Sequence, residues 1–136
     1  MINFKMSELI HSDTAIKNNI KNMPNVNELD CMLDLIVYCL QPIRNLLNEP
    51  MIITSGYRNK EVNKLVGGAI DSQHTKGQAV DFICKNLTPR QIIFKIITSG
   101  IEFDQLINEY NKWVHISFKK DMNRKDVLYL NRSIGV

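Results

Sequence analysis

The stretch SQHTKGQAVDF, residues 72–82, sets His74 and Asp81 seven positions apart with Gly77 between them. Later in the chain WVHISF, residues 113–118, places a second histidine, His115, in the middle of an apolar run. Two imidazoles and one carboxylate make a sound zinc set: borderline-soft nitrogens with one oxygen, and a fourth tetrahedral position left for water. Three protein ligands are the catalytic pattern, whereas structural zinc sites are normally closed by four. Alternation along a strand from Gln78 to Cys84 puts Ala79, Asp81 and Ile83 on one face and Val80, Phe82 and Cys84 on the other. Asp81 therefore interrupts an apolar strand, where a carboxylate is costly unless it is paired or bound to a cation. In the later strand the same alternation puts Trp113, His115 and Ser117 on one face. The alternatives are a salt bridge from Asp81 to a basic neighbour, and two histidines in unrelated structural roles with no metal. Arg58, just past the end of MIITSGYR's apolar segment, carries a planar charged fork suited to a carboxylate, against the alternative of a plain surface arginine. Gly77 lets the chain turn tightly between His74 and the strand.

The elements that must position these groups follow from period and punctuation. Leu29, Leu33, Ile36, Val37, Leu40, Ile43, Leu46 and Leu47 recur at helical spacing between Val26 and Leu47, and Pro42 is expected to kink that helix or split it. Before it, Ser7 to His11 reads as a single turn and Thr14 to Lys21 as a short helix closed by NMPN. Met51 to Thr54 reads as a short buried strand ending at Gly56, and NKEVNKLVGG as a short helix or turn stopped by Gly67 and Gly68. Thr88 and Pro89 are an N-cap and a first helical residue for a helix to about Ser99. DQLINEY, WVHISF and DVLYL complete the strands. Helices first and neighbouring strands later make an α+β domain with an antiparallel sheet.

The chain has 136 residues, 44% hydrophobic and 23% charged, which suits one domain with one core. A net charge of +3, with basic residues scattered from Lys5 to Arg132, gives no nucleic-acid footprint. Cys31, Cys39 and Cys84 are odd in number and lack CxxC spacing, so they read as small buried hydrophobes. The N-terminus has no uninterrupted apolar h-region, and no apolar run approaches the roughly 20 residues of a membrane helix. The expectation is synthesis in the cytoplasm without an export signal. The basic tail from Lys119 is expected to end in a peripheral strand and a frayed terminus.

Taken together, SGYR, Asn63, the Gly67–Gly68 pair, the complete Ser-x-His-x-x-Gly-x-Ala-x-Asp element of residues 72–81, and WVHIS resemble the zinc D-Ala-D-Ala carboxypeptidase family. That family also includes phage L-alanyl-D-glutamate endolysins and vancomycin-resistance dipeptidases. The resemblance runs from about Ser7 to Phe118, because SDTAIKNNIKNMP and LQPIRNLL look like the leader helices of the small members. It implies helices over about 7–48 packed on a small, mainly antiparallel sheet, a zinc-site core over about 51–118, and a tail over 119–136. It implies one Zn2+ held by His74, Asp81 and His115, with Arg58 gripping a substrate carboxylate and Ser72 lining the pocket. The implied activity is hydrolysis of a peptidoglycan stem peptide at D-Ala-D-Ala or L-Ala-D-Glu; the sequence does not reveal the oligomeric state, and a monomer is favoured. A phage or prophage lysis enzyme would reach the wall by release through a holin or carriage in a virion.

In several relatives the general base stands three residues before the last histidine ligand, and here Lys112 holds that place. The nearest candidate is Glu109, similar in placement to the acid of small members, with Asp104 and Glu102 in reserve. Hairpin parity sets a condition. A three-residue loop of Tyr110, Asn111 and Lys112 pairs Glu109 with Trp113 and puts it on the face of His115; a loop of Asn111 and Lys112 alone turns it away. The longer loop is expected. The second reading, favoured by Lys112, is a zinc-binding but inactive structural or cell-wall recognition module on the same fold.

Overall fold

The computed structural model describes residues 1–130. Six helices and five strands follow in the order α1 Met6–Ile10, α2 Asp13–Lys17, α3 Val26–Leu35, α4 Gln41–Leu47, β1 Ile52–Ser55, α5 Lys60–Leu65, β2 Ala79–Ile83, α6 Pro89–Ile97, β3 Gln105–Glu109, β4 Trp113–Ser117 and β5 Asp126–Leu130. The sheet order is β1-β2-β4-β3-β5, and every pair is antiparallel except β3 with β5, which runs parallel. The chain is therefore α+β with a mainly antiparallel sheet. The frayed terminus expected beyond Leu130 lies outside the described residues.

Capping chemistry starts the helices where the sequence places it. Asn25 and Glu28 form a reciprocal capping box at α3, and Thr88 and Gln91 do the same at α6, with Pro89 at the first turn. Between α3 and α4 the backbone widens into a π turn over Ile36–Leu40, in which the Gln41 N–H bonds to the Ile36 carbonyl. Pro42 follows directly, at the start of α4, and the backbone stays helical from α3 through the π turn into α4. The buried face differs from the one expected. Met32, Leu35, Ile36, Cys39, Leu40, Ile43 and Leu47 are buried, while Leu33, Val37 and Leu46 are exposed. Met32 and Cys39 count as core members, and including them rotates the apolar stripe.

One face of the sheet, with Val80, Phe82, Leu106, Val114 and Ile116, packs against α3, α4 and α6. β1 is a half-exposed edge strand and not the buried strand expected; Ile52 is 48% exposed, and the pairing with β2 is irregular between Ile53 and Ser55. Cys39 and Cys84 are buried, but Cys31 is only partly so. No helix among the described residues is long and apolar enough to cross a membrane.

Candidate functional site

The face of the sheet turned away from the helices carries the chemistry. Register pairs Ser55 with Asp81, Asp81 with His115, and His115 with Ile107, so these side chains form one row across β1, β2, β4 and β3. His115 Nδ1 lies 2.9 Å from Asp81 Oδ1, and His74 Nε2 lies 3.3 Å from the same oxygen. One ligand atom from each of His74, Asp81 and His115 falls within 4.8 Å of the others. A tetrahedral ion with ligands at about 2.0–2.1 Å holds them about 3.3 Å apart, so the donor set and its span suit zinc. Burial opposes the charge on Asp81, but the hydrogen bond from His115 and the neighbouring His74 imidazole outweigh it and hold the carboxyl below the usual carboxylate range. It stands ready as an anion.

His74 comes from a 3-10 turn, Gln73–Lys76, and is nearly fully buried. Ser72 caps that turn, its Oγ accepting from the His74 N–H at 3.2 Å. The His74 Nδ1 is 2.8 Å from the Gly56 carbonyl oxygen. A carbonyl only accepts, so Nδ1 carries the proton and Nε2 offers its lone pair to the cluster, as metal-binding histidines require. The turn ends at Gly77, with φ 73°; a Cβ there would collide with the Glu28 carbonyl of α3 and come 2.8 Å from Met32 Cγ. Gly77 thus serves both the left-handed turn and the close seat of the turn on α3.

Glu109 pairs with Trp113 across a loop of Tyr110, Asn111 and Lys112, which is the longer loop. The loop takes left-handed backbone at Tyr110 and Asn111, and its Asn111 N–H donates to Asn108 Oδ1 at 2.8 Å. The parity places Glu109 on the face of His115. Burial, and then the nearby Asp81 charge, push the Glu109 carboxyl above its ordinary range. Lys112 sits exposed in the loop. The reserve acids are engaged elsewhere. Asp104 is fully buried and accepts from Arg124 Nε and Nη2 at 3.0 and 2.8 Å and from Gln73 Nε2 at 3.0 Å, while Glu102 pairs with Lys125 at 2.6 Å.

Arg58 is half-buried, and its backbone N–H donates to the His74 carbonyl at 3.1 Å. Its Nη2 reaches Ser72 Oγ at 3.5 Å, and its buried Nε meets no acceptor among the described residues. Burial lowers its pKa, opposed by the charges of Asp81 and Glu109. A cleft of about 310 Å3, lined in part by Ser12, Thr14, Thr54 and Ser55, opens beside it. Sequence reasoning missed Asn22, whose Nδ2 donates to the Ile10 and Tyr57 carbonyls, both at 2.9 Å, and whose Oδ1 accepts from the Asn59 N–H at 2.8 Å. This buried amide ties the loop bearing Arg58 to the N-terminal segment. Its only signal was an asparagine beside Met23 and Pro24, which reads as an ordinary turn.

A comparison with curated proteins finds no match. The Peptidase M15 profile matches residues 2–117, a span that holds His74, Asp81, His115, Glu109, Arg58 and Ser72. The chain therefore belongs to the Peptidase M15 family, that of the zinc D-Ala-D-Ala carboxypeptidases.

Proposed function

We propose that this chain is a zinc-dependent peptidase that hydrolyses peptidoglycan stem peptides, with His74, Asp81 and His115 as ligands and Glu109 as general base. Family membership supports a metallopeptidase acting on peptidoglycan-type substrates. The observation that carries the finer reading is the placement of Glu109 on the same sheet face as His115 and Asp81. When bound, zinc supplies Lewis acidity toward the scissile carbonyl and lowers the pKa of water toward 7. The Glu109 carboxylate takes the proton of the attacking water and passes one to the leaving nitrogen. Its raised pKa suits both halves of that exchange. Arg58, with a buried Nε that meets no acceptor among the described residues, binds a carboxylate: the terminal one of a D-Ala-D-Ala substrate, or the α-carboxylate of D-glutamate in an L-Ala-D-Glu one. Ser72 steadies both Arg58 and the turn carrying His74. The biological setting we propose, by resemblance, is a phage or prophage lysis enzyme.

The second reading, an inactive zinc-binding module, is favoured by Lys112 at the usual position of the acid. Zinc content per chain, with mass spectrometry of fragments from digested peptidoglycan, separates the two and identifies the bond. Glu109→Gln is expected to keep the zinc and lose about 10²–10⁴-fold in rate. A zinc-loaded wild type that releases no fragment across a pH range sinks the enzyme reading.

A further inference from the structure

Strand β5, Asp126–Leu130, lies beyond the region matched by the family profile, yet it joins the sheet beside β3. Its register places Leu128 next to Ile107 and Leu130 next to Glu109. Neighbours in register share a face, so the row Ser55, Asp81, His115, Ile107 continues into Leu128, and the row Trp113, Glu109 continues into Leu130. Leu128 and Leu130 are 43% and 38% exposed, although they flank the candidate catalytic groups. The Leu130 carbonyl also accepts from the Tyr110 N–H at 2.9 Å, which moors the loop that sets the parity of Glu109. The site is thus two-sided: Arg58 and a hydroxyl-lined cleft on the β1 side, and an aliphatic strip on the β5 side.

We infer that β5 is a specificity wall, and that Ile107, Leu128 and Leu130 receive aliphatic groups of the substrate on the amino side of the scissile bond. This rests on the peptidase reading, in which Arg58 takes a carboxylate of the leaving portion and so assigns the opposite side to the acyl portion. Strands lie about 4.8 Å apart and an extended peptide advances about 3.3 Å per residue. Ile107, one strand from His115, is in reach of the first residue before the bond. Leu128, two strands away, is in reach of the second or third. An exposed apolar strip continuous with a polar catalytic row is the arrangement of a binding groove, with apolar walls and a few converging polar groups.

The test uses the zinc-loaded full chain and stem-type dipeptides, D-Ala-D-Ala and L-Ala-D-Glu, each extended on the amino side by two leucines or by two glycines. Binding is read from the fluorescence of Trp113, the single tryptophan, which lies in the row of Glu109, and cleavage is read by mass spectrometry. The wild type is expected to favour the leucine-extended peptide about 10-fold or more. Leu128→Ser with Leu130→Ser is expected to erase that preference with zinc content retained, the rate on the leucine-extended peptide falling to that on the glycine-extended one. Leu128→Thr, which puts a β-branched, strand-favouring residue in its place, guards against loss of β5 and should erase part of the preference. Leucine preference in binding with no cleavage overturns the peptidase reading, and with it the assignment of the strip to the amino side of a scissile bond, and leaves β5 a binding surface only. Cleavage with no leucine preference, or an equal loss on both peptides, overturns the wall and leaves the peptidase standing. Absence of both binding and cleavage overturns both, and a variant that changes only the sedimentation of the protein assigns β5 to self-association and overturns the wall.

Discussion

Gly77→Ala offers a direct measurement of how tightly the turn bearing His74 is seated. Two terms oppose an alanine there. The first is the left-handed backbone at φ 73°, which costs a side chain about 1–2 kcal/mol. The second is the collision of the new Cβ with the Glu28 carbonyl, a backbone atom in α3 that cannot swing aside, together with the approach to Met32. Overpacking of this kind costs about 1–3 kcal/mol, for a sum of about 2–5 kcal/mol. Gly67 is the built-in control: its φ is 76°, and nothing among the described residues lies within 4 Å of its Cβ position. Gly67→Ala should cost about 1–2 kcal/mol, the strain alone. Thermal melts in the presence of chelator remove any contribution from bound metal. For a chain of this size they should show a fall of roughly 8–20 °C for Gly77→Ala and roughly 4–8 °C for Gly67→Ala. Zinc affinity should fall in the first variant, because His74 moves with the turn, and hold in the second. Equal shifts for the two variants would refute the argument that α3 and the His74 turn are locked by close backbone contact.

Two further outcomes follow from the same geometry. Asp104 is held down to about 2: burial opposes its charge, but hydrogen bonds from Arg124 and Gln73 outweigh it. A depressed carboxyl contributes stability that is complete above its unfolded value and lost as pH falls through the folded one, so urea melts of the wild type should weaken between about pH 4 and pH 2. In Asp104→Asn that acid limb should flatten. Ser72→Ala removes the cap of the His74 turn and a partner of Arg58; about 1 kcal/mol of stability should go, with KM rising more than kcat falls, and Ser72→Thr should restore most of both.

Much of the candidate site was legible because its logic is local or depends on parity. The 72–81 element fixes the spacing of His74 and Asp81 across one turn, and two-residue alternation sets the faces of Asp81 and His115. The side taken by Glu109 reduced to one question, the length of a loop. The helix face between Val26 and Leu47 differs from the expected one for another reason: a stripe through leucines, isoleucines and a valine leaves out Met32 and Cys39, which pack equally well. The parallel docking of β5 on β3 was out of reach, since its partner is fixed by non-local contacts. The Arg124–Asp104 pair, the Lys125 N–H on the Phe103 carbonyl and the Asp126 N–H on the Asp104 carbonyl steer the chain past β4 to the far edge.

The tautomer of His74 marks the limit of what side-chain types can tell. It is set by the carbonyl of Gly56, a group that every residue possesses and that leaves no trace in composition or motif. What the sequence does record there is the absence of a side chain. A Cβ at Gly56 would run into the backbone of Leu9, and the neighbouring Tyr57 N–H bonds to the Leu9 carbonyl at 2.6 Å, so the segment can lie against α1 only if residue 56 is bare. The glycine in SGYR thereby orients a candidate metal ligand eighteen residues away. A residue's role in such a centre can lie in what its missing atoms allow its backbone to reach.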